Sequence, residues 1–108
     1  MSAARINGHL TSMAAYLIVD TNLTDPDLYE QYKLQAKPLV EKHGGQYLAR
    51  GGTLSIKESA LWSPTRMVLI QFPSAEQAEG FYESAEYRQV LGISKRSAQR
   101  TVFILDGM

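Results

Sequence analysis

Cysteine is missing from this 108-residue chain, which excludes disulfides, thiolate metal sites and cysteine nucleophiles outright. Neither sign of charge is in excess: eleven Lys and Arg offset eleven Asp and Glu, so no net field draws the protein to a nucleic-acid backbone or an anionic membrane surface. Long apolar runs are lacking as well. The stretch MAAYLIVD (13–20) ends in Asp20 and falls far short of the ~20 residues that cross a bilayer; no small-residue cleavage site follows it, so it does not read as a signal peptide. Histidine occurs twice, too few to give, with scattered carboxylates, the ligand spacing of a zinc or iron centre. The pair in GGT leads into a strand-like segment, without the amide-rich helix start that cradles phosphate. Together these features predict a cytoplasmic protein with no nucleic-acid or membrane partner, no metal and no cofactor.

What is present is 44% hydrophobic content, enough for one domain around one core. Residues 1–12, MSAARINGHLTS, show no apolar period and read as a disordered extension or an expression remnant, with a single domain over 13–108. AAYLIVD (14–20) is a strand by its length and its β-branched and aromatic members. Next, Asp25 caps and Pro26 opens a helix in which Leu28, Tyr32, Ala36, Leu39, Val40 and His43 follow a helical period. Pro38 predicts a kink or restart near Ala36 to Lys37, and Gly44 a left-handed helix end. QYLAR is a strand, GG a bend and TLSIKE its continuation or return; SALWSP is a loop and TRMVLIQF (65–72) a further strand. Ser74 with Gln77 forms a capping box, Ser84 opens another helical turn, and RTVFILD is the last strand, at a sheet edge.

The order β, α, β, β, α, β is the α+β, ferredoxin-like arrangement: an antiparallel sheet with helices on one face. Alternation makes both faces of that sheet apolar. Tyr16 and Ile18 oppose Leu17 and Val19, Met67 and Leu69 oppose Val68, Ile70 and Phe72, and Val102 and Ile104 oppose Phe103 and Leu105. Two helices cover one face, so the other predicts a homodimer through the sheet face, a two-fold barrel of two sheets.

The runs TDPDLYEQY, GGQYLARGG, Arg66 at the opening of a strand, FPS and FYESAEYRQV, in that order, resemble the family catalogued as domain of unknown function 1330, within the dimeric α+β barrel superfamily. The resemblance covers residues 14–108. It implies a ferredoxin-like protomer and a barrel dimer, and carries no established reaction. One departure is Ser59, after Glu58 in KESALWSP, where the family commonly has glycine.

Several residues are candidates for a ligand site. Arg50, taken to share a side of its strand with Leu48, would point inward and either clamp an anionic ligand or pair with Glu58 across the GG bend. Tyr82, Ser84 and Tyr87 flank a helix break; a phenol there could donate to a ligand beside Arg50 or serve in packing. Arg66 and Arg96 match recurrent basic positions of the family and could equally pair with surface glutamates. The His43 imidazole would suit proton transfer, and also compensates the helix dipole. Trp62 could gate a pocket or cover a core edge. The basic cluster KRSAQR (95–100) is accounted for by the dipole of the helix it ends.

The leading expectation is a small-ligand protein, a candidate cofactor-free enzyme acting on a small anionic or carbonyl-bearing metabolite. A non-catalytic structural or regulatory homodimer is the second reading, and a metal- or haem-dependent monooxygenase-like enzyme the third.

Overall fold

The computed structural model describes residues 3–6 and 9–108, with side chains from Met13 onward. Within the segment expected to be a disordered extension or remnant, Ala3–Ile6 (β1) pairs antiparallel with His9–Ser12 (β2) as a separate two-stranded sheet. The remaining residues of that segment lie outside the described ones. The main body runs β3 (Ala15–Leu23), α1 (Pro26–Lys42), β4 (Gln46–Arg50), β5 (Met67–Phe72), α2 (Ala75–Glu83), α3 (Ala85–Ser97) and β6 (Ala98–Asp106). The strands form one antiparallel sheet in the order β4-β5-β3-β6. This is the ferredoxin-like α+β fold, with β6 at an edge as its sequence position predicted.

Local chemistry sets the helix ends. Asp25 accepts the Leu28 amide at the start of α1 with Pro26 just inside, and Ser74 accepts the Gln77 amide to open α2. Gly44, at φ +86°, takes the left-handed turn that releases the chain from α1. The expected break at Pro38 does not occur: α1 is continuous through it. The carbonyl that loses its donor there belongs to Leu34, on the helix's exposed face, where water can serve it. The helix's buried stripe is Tyr29, Tyr32, Ala36 and Val40, so Tyr29 takes the inward place expected of Leu28.

A second correction concerns TLSIKE, which forms no strand. All of residues 51–60 are exposed and without regular structure, and β5 begins only at Met67. The connection is tied down at its far end. Asp20 accepts the Trp62 indole N–H at 2.8 Å and the backbone amides of Thr65 and Arg66 at 2.9 and 3.1 Å. Burial works against the charge of that carboxylate, but the bonds from Thr65, Arg66 and Trp62 together outweigh it and hold the group below the ordinary aspartate range.

Both faces of the sheet carry apolar side chains, as the alternation predicted, and the helices cover one of them. Leu17, Val19, Val68, Ile70 and Phe72 are buried beneath the helices with Phe81, Tyr87, Val90 and Leu91. On the opposite face, Leu69, Ile18 and Phe103 lie in register across three adjacent strands, with Leu105 beside Tyr16. Phe103 and Leu105 remain 39% and 54% exposed.

Candidate functional site

Arg50 reaches the interior for a reason other than the one expected. Strict alternation would put it on the side of Leu48, but β4 carries a bulge: Tyr47 opposes Ile70 and Ala49 opposes Leu69, leaving Leu48 as the extra residue. Leu48 is consequently exposed, and Tyr47 and Arg50 both fall on the helix-facing side of the sheet, opposite Ile70 and Val68. The Arg50 guanidinium stacks over the Tyr47 ring at 4.5 Å and makes a long contact, 3.5 Å, to the Lys33 carbonyl. Expected pairing with Glu58 is not found. Arg50 joins no ion pair among the described residues, and Glu58 stands in the exposed connection beside Trp62, lining a separate shallow cleft.

Beneath the helices these groups border a narrow cavity of about 30 Å³, lined by Arg50, Arg66, Arg100, Lys33 and four tyrosines (29, 32, 47 and 87), with Leu17, Val19, Val68 and Ile70 among the apolar residues of its lining. Gly51, at φ +72°, makes room for Arg66, whose guanidinium lies 3.0 Å from where a Cβ at that glycine would sit.

The centre of the site is Arg100. Its Nη1 donates to the Tyr32 hydroxyl and its Nη2 to the Tyr87 hydroxyl, both at 3.0 Å, and the two phenol oxygens are 2.7 Å apart. Each hydroxyl brings one hydrogen. One is spent between the phenols, whichever of them donates; the other has no acceptor among the described residues. No Asp or Glu lines the cavity to balance the guanidinium. Burial opposes the Arg100 charge, but the neighbouring oxygens of Tyr32 and Tyr87 outweigh it, and its pKa is raised. Burial, reinforced by Tyr87, also raises the Tyr32 pKa, which favours the neutral phenol.

Arg100 is the candidate site residue that sequence reasoning missed. It was absorbed into a basic helix end, yet it sits on β6, in phase with Val102 and Ile104, whose side chains pack on the core. An arginine at a core-phase strand position was the available signal. On the helix face it lies in the row Arg66, Thr21, Arg100: Thr21 pairs with Arg100 across the sheet, and its amide donates to the Arg66 carbonyl at 2.9 Å. Thr21 is buried, with its hydroxyl unpartnered.

The other sequence candidates fall in different places. Tyr87 and Arg66 line the cavity with Arg50. Ser84 ends α2 and caps α3, donating to the Phe81 carbonyl and accepting the Tyr87 amide, and this turn aims Tyr82 and Tyr87 apart. Tyr82 lines a wider cleft between α3 and β6, with its ring 5.3 Å from that of Tyr87. His43 caps α1, its Nδ1 2.9 Å from the Leu39 carbonyl, and packs on the edge of Phe81, away from the cavity lining. Trp62 is held by Asp20, and Arg96 is exposed on the last turn of α3. Among the described residues no three His, Cys, Asp or Glu come together as a metal site, and no helix is long and apolar enough to cross a membrane.

A family model described as "domain of unknown function (DUF1330)" matches residues 14–108. The chain belongs to that family. No curated protein matches this DUF1330 chain in sequence. Among solved structures it is similar to a protein of unknown function from Rhodopseudomonas palustris, with a TM-score of 0.71, 13% identity and coverage of 89% of this chain and 83% of the other. It is also similar to SnoaB, a cofactor-independent oxygenase from Streptomyces nogalater, at TM-score 0.65 and 3% identity over 90% and 95% of the two chains. A dimeric ferredoxin-like protein of unknown function from Thermobifida fusca matches at TM-score 0.61 and 17% identity over 95% and 99%. At such identities the likeness is one of fold, and a fold of this kind serves proteins of different function.

Proposed function

We propose that this DUF1330 protein is a homodimeric barrel that binds a small anionic or carbonyl-bearing metabolite between its sheet and its helices. The observation that carries this reading is the Arg100, Tyr32 and Tyr87 cluster: a half-buried cation with no carboxylate in the surrounding cavity, beside one phenol hydrogen that lacks an acceptor. A buried charge without a partner costs several kcal/mol, of order, and a bound carboxylate or enolate oxygen would supply both the charge and the acceptor. Arg50 and Arg66 add to the positive field on the β4 and β5 side of the cavity.

The chemistry such a site supports is electrostatic. Donors in a water-poor pocket stabilise negative charge developing on a carbonyl oxygen, whereas its lining holds no His, Asp or Glu to take a proton. A substrate would therefore enter as its anion, or ionise without a protein base. The fold likeness to a cofactor-independent oxygenase supports a barrel of this shape working without a bound cofactor. The dimeric Thermobifida protein, together with the row Leu69, Ile18 and Phe103 on the uncovered face, supports the homodimer.

The test is calorimetric titration of the full chain with small carboxylates and 2-oxo acids, repeated on Arg100→Met. Saturable binding that disappears in the variant is expected. If no acid binds, or if the variant binds as well as the parent, the reading is wrong.

A further inference from the structure

We infer that the ligand carries two anionic groups, one held by Arg100 with its tyrosines and the other by Lys95 in the cleft between α3 and β6. This rests on the reading of Arg100 as an anion site and extends it to the shape and charge of what is bound.

Volume is the first argument. The inner cavity, at about 30 Å³, has room for little more than a head group, since one water needs about 10–15 Å³ on the same measure. The body of a metabolite must lie elsewhere. Arg100 also lines the cleft between α3 and β6, whose volume of about 400 Å³ is in the range of small-molecule sites. Arg100 thus faces both spaces, and a ligand anchored on it from the cleft side keeps its body there.

Charge is the second argument. Among the described residues, Lys33, Arg50, Arg66, Arg100 and Lys95 line the two spaces, and no Asp or Glu does. On the β4 side this is partly offset: Lys33 bonds Glu30 at 2.9 Å, and Glu30 feels the charges of Arg50 and Arg66 as well. On the β6 side no acid lines the cleft itself; Glu79 and Glu83 line the adjoining one, beyond Tyr82 and Val102, and Glu83 is taken by Arg88. Lys95 joins no ion pair among the described residues, and the Ser94 hydroxyl that also lines the cleft already donates to the Leu91 carbonyl. Two cations on one cleft with no acid between them match a dianion, such as a short dicarboxylate. Tyr82, beside Tyr87, forms the cleft's aromatic wall.

The experiment compares straight-chain dicarboxylates (succinate, glutarate, adipate) with monocarboxylates of the same lengths, by calorimetry at low salt, on the parent chain, Lys95→Ala and Lys95→Arg. Lys95 is exposed, so neither variant disturbs the core. The best-fitting dicarboxylate should bind about tenfold more tightly than its monocarboxylate, the worth of one partly screened charge contact. Lys95→Ala should erase that preference by weakening dicarboxylates far more than monocarboxylates, and Lys95→Arg should keep it. Monocarboxylates binding as tightly as dicarboxylates, or a preference that survives in Lys95→Ala, would overturn this inference and leave the Arg100 site standing. Failure of both series to bind removes the Arg100 site and this inference with it.

Discussion

The hydroxyls of Tyr32 and Tyr87 stand 2.7 Å apart although 55 residues separate them in the chain. One comes from α1 and the other from α3, and both face the guanidinium of a strand residue, Arg100. Their contact joins the two helical segments to the sheet at the point where charge is concentrated. Hydrogen bonds between buried groups are coupled, so the pair should be tested as a unit. Tyr32→Phe and Tyr87→Phe should each cost about 1–2 kcal/mol, because each leaves its former partners short of one bond. The double variant should cost clearly less than the two together. Urea unfolding of the four proteins measures the cycle, and strict additivity would show that the hydroxyls do not act as a pair.

Arg100 should behave as a residue kept for binding and not for stability. Replacing this half-buried guanidinium with an apolar side chain of similar length removes a charge that no lining carboxylate balances, and with it two hydrogen bonds to phenol oxygens, so the two effects offset. Arg100→Met is therefore expected to move the melting temperature by no more than a few degrees in either direction, about the shift that 1 kcal/mol gives a domain of this size. A fall of several degrees would mark the arginine as structural.

At the mouth of the cavity, Arg50→Ala should weaken binding of a small carboxylate by about tenfold while changing stability little, since it removes a stacked, partly exposed cation that joins no ion pair. Glu58→Gln should change neither. A matching loss of stability in both variants, seen by thermal melts, would restore the Arg50 to Glu58 pair.

The alkaline limb of stability carries a sign that can be checked. Tyr32 has its pKa raised by burial in the folded state, so above the ordinary tyrosine value of about 10 the unfolded chain releases a proton that the folded chain retains. The native state then binds more protons, and stability falls as pH rises through that region. Denaturant unfolding from pH 8 to 11 should show this fall, and Tyr32→Phe should reduce its slope, leaving the part due to Tyr47, whose pKa burial also raises. An equal slope in the two proteins would mean that Tyr32 titrates normally.

Trp62, the chain's single tryptophan, reports on the tether at Asp20. Asp20→Ala removes the acceptor of two backbone amides and the indole. It should lower stability by about 1–3 kcal/mol and shift the emission of Trp62 to the red. Unchanged emission would show that the connection is held elsewhere.

The uncovered sheet face predicts a dimer in sedimentation at micromolar concentration, and a monomer for the double variant Phe103→Asp and Leu105→Asp. These two residues sit opposite Ile18 and Tyr16, so charge there opposes the packing of a second sheet. A monomeric parent chain would remove the barrel from the proposal.

The chain's own periodicity determined the order of elements and both faces of the sheet. Alternation in AYLIV, MVLIQF and VFIL is a local property, and so are the caps at Asp25, Ser74 and Ser84. Tertiary structure alone decided which polar groups meet. The bulge at Leu48, which turns Arg50 inward, exists only because β4 must stay paired with β5 on both sides of it. Tyr32, Tyr87 and Arg100 converge because three elements pack, over separations that no local pattern encodes. Arg50 and Glu58 form no ion pair although only eight positions separate them, because residues 51–60 are exposed and without regular structure, so no strand pairing holds Glu58 against the sheet.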